Sequence, residues 1–333
     1  MRMPRGALAL AGAVAALAFL ASPSAQATPM STSPEQAYDQ GEIPSARALG
    51  MGGALNALGV STTSLYLNPA NMPLARVYHL EALGAFSPES RRETVGLAIV
   101  DSILNSSHVS GGLGGTWNQM DPDGLHRVWT DVRGALALPL GDHFSLGATG
   151  RWLHIDQSVN AGPLSQSPAT DLASSGSTNG PVLNALTFDA GATALLGDFR
   201  LAVVGHNLTN PGTALAPTLG AAGIGWGSQI FAIEADGMLD FTTYGSTRGR
   251  LMLGGEVFLA DRYAIRAGYR YDAGTTLSTP SLGFGYIDPK WSIELGVRHD
   301  LTSDHASTLG VVSLRYFYDA TGATTPADTP DAF

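Results

Sequence analysis

The feature of this sequence that most constrains its fold is an alternation of apolar and polar residues over many short segments. In residues 291–298, for example, Trp291, Ile293, Leu295 and Val297 alternate with polar residues or glycine. Successive side chains of a β-strand point to opposite faces, so a period of two predicts strands with one apolar face. Fourteen such segments occur, at residues 76–86, 92–101, 108–118, 125–138, 143–155, 183–196, 199–207, 217–225, 229–240, 250–259, 262–271, 280–287, 290–299 and 308–318. The first three alternate least clearly, so twelve strands is the alternative count.

The connections between these segments alternate between short and long. The long connections centre on residues 156–182, 208–216, 241–249, 272–279 and 300–307. Tight turns at one end and long loops at the other are typical of outer-membrane β-barrels, whose tilted strands of about 9–11 residues cross the bilayer. Several short turns are followed by an aromatic residue, as at Phe144, Phe199, Tyr263 and Trp291. Such residues predict an aromatic ring at one membrane interface.

A soluble β-sandwich or a secreted β-propeller would also alternate apolar and polar residues. The order of the connections, the aromatic placement and the N-terminal leader favour the barrel instead. The sequence therefore predicts an all-β protein, a transmembrane antiparallel β-barrel of about fourteen strands over residues 76–318. A sheet in lipid must close into a barrel so that all its backbone N–H and C=O groups are paired. The apolar faces would then point outward and contact outer-membrane lipid.

Composition excludes several other classes of protein. The 333 residues include 18 Lys and Arg, 28 Asp and Glu and no cysteine, with a formal net charge of −10. An acidic chain is a poor partner for nucleic acid, since phosphate contacts need an excess of Lys and Arg. Without cysteine, a disulfide framework or a cysteine-ligated metal site is impossible.

The first 27 residues have the pattern of a secretory signal peptide. Arg2 and Arg5 precede an apolar stretch over residues 6–20, and a small-residue cleavage site follows at residues 25–27. An uncleaved membrane anchor is the alternative interpretation. Export of this kind predicts a protein of the outer membrane of a Gram-negative bacterium. Residues 28–75 differ from the strand pattern, and residues 319–333 form a Thr-, Ala-, Pro- and Asp-rich tail that we expect to be disordered.

Charged residues of the predicted strands share the face opposite the apolar one. With the apolar face outward, these side chains line the lumen: Glu234, Asp236, Glu256, Arg266, Arg270, Glu294, Arg298 and Arg315. Two interpretations remain open. The charges form a salt-bridge network that stiffens the barrel, or they line a polar path or ligand site.

Four glycines lie within the third predicted strand, Gly111, Gly112, Gly114 and Gly115. Glycine inside a strand marks a bulge, a bend or a close approach of another backbone. The simple interpretation is that they accommodate twist. The functional one is that they break the wall where an apolar ligand could leave sideways.

Residues 46–70 resemble a known family. Ala46 and Arg47, the run at residues 50–54 and the triplet at residues 68–70 resemble the N-terminal region of the FadL/PorV superfamily of outer-membrane barrels. The resemblance implies a 14-stranded barrel in which residues 28–75 fold inside as a hatch that includes Asn68, Pro69 and Ala70. From the residues alone, that triplet is a turn with no ligand contact.

The two branches of this family imply different functions. The FadL branch implies uptake of hydrophobic, fatty-acid-like molecules by hatch-gated passive diffusion, with exit at a kink in the third strand. The PorV branch implies a secretion accessory whose loops, above all residues 156–182, bind secreted proteins. The first is our principal prediction and the second is the alternative.

The sequence carries no motif of an enzyme or a cofactor site. It lacks a G-x-S-x-G elbow, a phosphate-binding P-loop, an H-E-x-x-H helix and an EF-hand loop. Asp121 to Gly124 form a Pro-Asp-Gly turn rather than a calcium loop. We therefore predict a protein without enzymatic activity, cofactor or metal, whose partners are membrane lipid and a hydrophobic small molecule.

Overall fold

A computed structural model describes most of the predicted barrel and part of the segment before it. The described residues are 45–75, 77–103, 109–120, 127–157, 183–211, 215–244, 246–301 and 306–318. The predicted signal peptide, residues 28–44, the tail at 319–333 and residues 158–182 of the longest loop lie outside the described residues. The boundaries assigned to these segments therefore remain predictions.

The strands form one closed antiparallel barrel in which each strand pairs with its neighbours in the sequence. They are β1 (Tyr78–Ser87), β2 (Arg92–Asp101), β3 (Ser110–Met120), β4 (Arg127–Leu140), β5 (Phe144–Gln157), β6 (Leu183–Leu196), β7 (Phe199–His206), β8 (Leu219–Gly227), β9 (Phe231–Asp240), β10 (Arg248–Leu259), β11 (Tyr263–Asp272), β12 (Leu277–Asp288), β13 (Trp291–His299) and β14 (Thr308–Phe317). Pairing of β1 with β14 closes the ring. The prediction of a 14-stranded barrel is confirmed, and the alternative count of twelve was wrong.

The alternation of side chains separates an apolar outer surface from a polar interior. On β2 the side chain of Leu97 is 70% exposed, whereas those of Arg266 on β11 and Glu294 on β13 are almost fully buried. A closed ladder leaves no unpaired edge, which is the condition for placing a sheet in lipid. The outer surface therefore has the character of a lipid-facing wall.

The two ends of the barrel differ in their connections and in their aromatic residues. Phe144, Phe199, Tyr263 and Trp291 each begin a strand directly after a short turn, and all four are exposed. Tyr286 lies between Tyr263 and Trp291, with ring centroids 5.5 and 5.4 Å away. Three of these short turns contain left-handed backbone, which glycine supplies in two of them. The predicted aromatic row at the short-turn end is present.

Residues 45–75, called here the inner segment, lie inside the barrel and are almost entirely buried. They form α1 (Ala46–Gly50), α2 (Thr62–Tyr66) and a 3₁₀ helix (Pro69–Leu74). The Ser45 hydroxyl accepts a hydrogen bond from the Ala48 amide and so caps α1. In the described residues, no helix is long and apolar enough to cross a membrane.

Glycines of the wall make room for the backbone of the inner segment. A Cβ atom on Gly254 would lie 2.6 Å from the carbonyl oxygen of Met51, and one on Gly296 would lie 2.6 Å from that of Ala46. The same close approach to backbone of the inner segment occurs at Gly147, Gly268 and Gly283. The lumen is therefore filled at the level of these glycines.

Candidate functional site

A first ion-pair network connects the inner segment with one side of the barrel. Its members are Arg47, Glu81, Glu256, Arg266, Glu294 and Arg315. Arg47 Nη2 lies 2.8 Å from Glu256 Oε1, and Arg266 contacts both Glu256 and Glu294. Burial strengthens such pairs electrostatically but makes the loss of one partner costly. The inner segment is thereby fixed to β10 through a buried charge.

The structure brings together only some of the lumen charges that the sequence predicts. Glu256, Arg266, Glu294 and Arg315 belong to the first network, with Arg315 Nη1 3.0 Å from Glu294 Oε1. Arg298 lies 3.6 Å from Asp300 instead. Arg270 is buried nearer the long-loop end, where it lines a small cavity with Arg298. The roles assigned to these residues remain predictions.

The remaining two predicted lumen carboxylates, on β9, bind backbone of the inner segment. Glu234 accepts hydrogen bonds from the amides of Ala57 and Leu58, and Asp236 accepts from the amide and side chain of Asn56. Consecutive amides that point to carboxylates form a strong, directional attachment. We call β9–β14 the anchored wall, because charged or polar groups on β9, β10, β12 and β14 bind residues 46–63 of the inner segment.

A second network on β4–β7 was not found from the sequence. It comprises Asp131, Arg133, Arg151, Asp189 and His206. Arg133 binds Asp131 through Nε and Nη2, both at 3.0 Å, and Arg151 Nη2 lies 2.8 Å from Asp131 Oδ2. Asp131 and Arg133 occupy the inward face of β4. The alternation rule used on the later strands would therefore have identified them.

With His206 counted as neutral, the formal charges within each network cancel. Three arginines meet three glutamates in the first, and two arginines meet two aspartates in the second. Neither network has an excess charge to offer an ionic ligand.

The predicted hatch triplet at residues 68–70 holds the inner segment against β5 and β6. The side-chain Nδ2 of Asn68 donates to the backbone carbonyl of Asn56 at 2.8 Å and to the Thr193 hydroxyl at 3.0 Å. The Ser145 hydroxyl donates to the Ala70 carbonyl at 2.6 Å, while Pro69 packs on wall backbone. These contacts give the triplet a structural task, and its part in a ligand path remains a prediction.

The glycines of β3 do not interrupt the wall. β3 pairs residue for residue with β2 and with β4, so neither ladder contains a bulge or a break there. Gly112 and Gly114 face inward, where a Cβ atom would meet Met72, Leu65 or Tyr66, whereas Gly111 and Gly115 face outward. Close approach of the inner segment explains why Gly112 and Gly114 carry no side chain. Passage of a ligand at this strand remains a prediction.

Strands β2–β4 form a wall whose inner face is apolar towards the end at which β4 turns into β5, and we call it the apolar wall. Farther from that end, Asp131 and Arg133 of β4 also face inward. On its inner face a buried cluster joins the wall to the inner segment: Leu65, Tyr66, Met72, Ala98, Val100, Ala135 and Ala137. On its outer face Leu97, Leu113 and Leu136 are each at least 65% exposed. Small inward side chains make this wall thin.

A cavity of about 840 Å³ opens on the outer surface over the apolar wall and the adjoining strands. It is lined by Leu80, Glu81, Ala82, Leu97, Ala98, Ile99, Leu113, Gly114, Gly115, Val132, Arg133, Trp291, Ser292, Leu314, Arg315 and Tyr316. The lining includes inward-facing positions such as Ala98 and Gly114 together with exposed outward ones such as Leu97. The cavity therefore reaches the strand layer itself.

A further apolar cluster lies inside the barrel at the long-loop end. Its buried members are Met120, Trp129, Leu153, Ile155, Leu215 and Ala216. Apolar side chains that face the interior of a barrel form a surface suited to hydrophobic molecules. This cluster and the apolar wall share inward positions of β3 and β4, and the buried side chains of Asp131 and Arg133 lie between them on β4.

Comparison with known proteins supports the fold. No protein-family model and no curated protein matches the chain. Among solved structures, the monoaromatic hydrocarbon channel CymD has a TM-score of 0.60 at 15% identity, covering 83% of this chain and 97% of that one. The toluene transporter TbuX of Ralstonia pickettii has a TM-score of 0.58 at 12% identity, covering 83% and 98%.

The toluene transporter TodX of Pseudomonas putida has a TM-score of 0.54 at 12% identity, covering 82% of this chain and 97% of that one. These proteins are hydrocarbon channels of the FadL family. The resemblance seen in residues 46–70 is therefore confirmed at the level of the fold.

Proposed function

We propose that this protein is an outer-membrane channel through which hydrophobic small molecules diffuse passively. The observation that carries the proposal is the apolar wall, which presents apolar side chains to the lumen and to the exterior at the same strands. A molecule that crossed the anchored wall would have to separate buried ion pairs. A molecule that crossed the apolar wall beside Ala98, Gly112 and Gly114 would contact mainly apolar side chains and would leave the buried ion pairs intact.

The path begins at the apolar cluster of the long-loop end and ends at the cavity over the apolar wall. Between them lies the inner segment, whose residues Leu65, Tyr66 and Met72 cover the inner face of the wall. The ligand leaves sideways at Gly112 and Gly114, where the wall has no side chains. Displacement of the inner segment from this wall gates the passage, which is the hatch role that the family resemblance implies for residues 28–75.

The fold neighbours support a hydrophobic substrate. Their names identify them as channels for monoaromatic hydrocarbons or toluene. On the same basis, we propose that the protein is located in the outer membrane of a Gram-negative bacterium. Suitable test substrates range from toluene to a long-chain fatty acid. A secretion-accessory role has no such support, and residues 158–182 of the loop that it would use are outside the described residues.

Uptake by whole cells tests the proposal. A strain lacking the gene, with and without the gene restored on a plasmid, would receive radiolabelled toluene or a labelled long-chain fatty acid. We expect restored cells to take up at least one of them several-fold faster, because the outer leaflet of the outer membrane resists hydrophobic solutes. Uptake of a small sugar serves as the control and should not change. Equal uptake of every hydrophobic probe with and without the gene would refute the proposal.

A further inference from the structure

A buried polar atom of the inner segment faces the apolar wall without a hydrogen-bond partner. Among the described residues, the hydroxyl oxygen of Tyr66 makes no hydrogen bond, although the side chain of Tyr66 is only 6% exposed. Buried hydroxyl groups in proteins are nearly always hydrogen-bonded, and leaving one unbonded lowers stability. A buried donor of this kind at a proposed passage therefore suggests a partner that arrives from outside the protein.

The hydroxyl lies against a glycine of the apolar wall. A Cβ atom on Gly114 would lie 2.7 Å from the Tyr66 hydroxyl oxygen, so the hydroxyl points at the backbone of β3. Gly114 also lines the outer cavity, together with Ala98 and Leu113. The hydroxyl is thus separated from the cavity by a strand position without a side chain.

The ring of Tyr66 is held in this position by the second ion-pair network. The guanidinium carbon of Arg133 lies 5.0 Å from the ring centroid, and Arg133 Nη1 donates to the Tyr66 carbonyl at 3.0 Å. Arg133 is itself fixed by two hydrogen bonds to Asp131. A donor that is held in place loses little conformational freedom when it binds, which favours selectivity.

The charges around the hydroxyl indicate a neutral partner. The second network includes two residues of β4 in the apolar wall, and the first lies beside this wall; with His206 counted as neutral each is balanced, so a carboxylate or an ammonium group would meet no excess of opposite charge. An uncompensated charge in an apolar passage is strongly disfavoured. A phenol hydroxyl donates well to a neutral oxygen acceptor.

We propose that Tyr66 donates a hydrogen bond to the ligand during its passage, and that the preferred ligands are neutral hydrophobic molecules with one oxygen acceptor, such as an aryl ketone, aldehyde or ether. This inference rests on the proposed channel function and narrows its substrate class. Tyr66 acts as a specificity-determining residue: it favours the acceptor-bearing molecule over the hydrocarbon of the same shape.

The test compares two probes of nearly equal shape, acetophenone and α-methylstyrene, in the whole-cell uptake assay. Tyr66→Phe removes only the hydroxyl. We expect it to slow uptake of acetophenone about three- to tenfold, the effect of one hydrogen bond, and to leave α-methylstyrene unchanged. Tyr269→Phe is the matched control, because Tyr269 faces outward and its hydroxyl binds Ser278. We expect it to change neither rate.

A second measurement separates a ligand contact from an effect on packing. The carbonyl stretching band of acetophenone bound to purified protein in detergent should shift to lower frequency in the wild type and lose that shift in Tyr66→Phe. Loss of uptake for both probes alike in Tyr66→Phe, or an unchanged ratio of the two rates, would overturn the inference. If the wild type took up neither probe nor any other hydrophobic molecule, the channel function itself would fail.

Discussion

The anchored wall and the apolar wall hold the same inner segment by different forces. Residues 46–58 are attached to the anchored wall by a buried ion pair and by amide–carboxylate hydrogen bonds. Leu65, Tyr66 and Met72 lie against the apolar wall through the contacts of a hydrophobic cluster, where the polar attachment is the hydrogen bond from Arg133 to the Tyr66 carbonyl. Both walls follow the same strand alternation, so the difference arises only from which side chains occupy the inward positions.

This difference predicts which part of the inner segment moves. Ion pairs and hydrogen bonds are directional, and separating them inside the barrel exposes unpaired groups. Hydrophobic contacts are non-directional, so a hydrophobic ligand can make contacts with the wall in place of those made by the inner segment. The part of the segment at the apolar wall is therefore the part that a ligand can displace.

The largest expected effect comes from removing the central acid of the anchored wall. Glu256→Ala leaves both Arg47 and Arg266 without that carboxylate in a fully buried site. Breaking a buried pair typically costs about 3–5 kcal/mol, and we expect a loss of that size in the free energy of unfolding. Unfolding in urea with refolded protein in detergent, followed by gel mobility, measures it.

A surface acid provides the control for this substitution. Glu93→Ala removes an exposed acid of β2 whose carboxylate accepts a hydrogen bond from Gln119, and we expect a change within about 0.5 kcal/mol. If both variants were equally stable, the first network would not fix the inner segment and the contrast between the walls would disappear.

The next largest effect is expected from a substitution that tests how closely the inner segment packs against the wall. Gly268→Ala places a Cβ atom into the backbone of Met51 and Gly52, so we expect a loss of about 1–3 kcal/mol from overpacking. Gly237→Ala, on the outer face of β9 with no atom within 4 Å, is the matched control and should be neutral. Thermal unfolding of the two variants measures the difference. Equal midpoints would show that the inner segment does not lie against β11.

The smallest effect distinguishes the walls by transport rather than by stability. Leu113→Asn and Leu253→Asn each place a polar group on the outer surface, in the apolar wall and the anchored wall respectively. We expect Leu113→Asn to slow uptake of a hydrophobic probe about fivefold, because the amide must lose solvation beside the passing ligand. Leu253→Asn should leave uptake unchanged. A similar loss in both variants would mean that exit is not confined to the apolar wall.

The sequence is sufficient to predict the barrel because strand alternation is a local property. The positions of Phe144, Tyr263 and Trp291 follow from turns directly before them, and each begins a strand as expected. Pairing of sequential strands then needs no long-range information. The inward direction of Glu256 and Arg266 follows from the same rule.

The partners within the lumen depend on contacts that the sequence does not display. From the sequence, Arg47 is identifiable only as part of a family motif. Its ion pair with Glu256 depends on the position of the inner segment along the barrel axis, which strand alternation does not determine. Gly254 and Gly268 were missed for the same reason, since the need for glycine arises from what lies opposite. Asp131 and Arg133 are different, because a local rule that was already in use would have found them.

The attachment of the inner segment also bears on how the cylinder is completed. The first and last strands are far apart in the chain, and joining such distant ends is entropically the costliest step of assembly. Thr62 hydrogen-bonds to Glu81 on β1, while the amide of Ala46 donates to Ser313 on β14 at 2.9 Å. The inner segment thus contacts both β1 and β14, the two strands whose pairing closes the barrel. Contacts with both strands from one short segment reduce the freedom of the two edges relative to each other and so stabilise the closed ring.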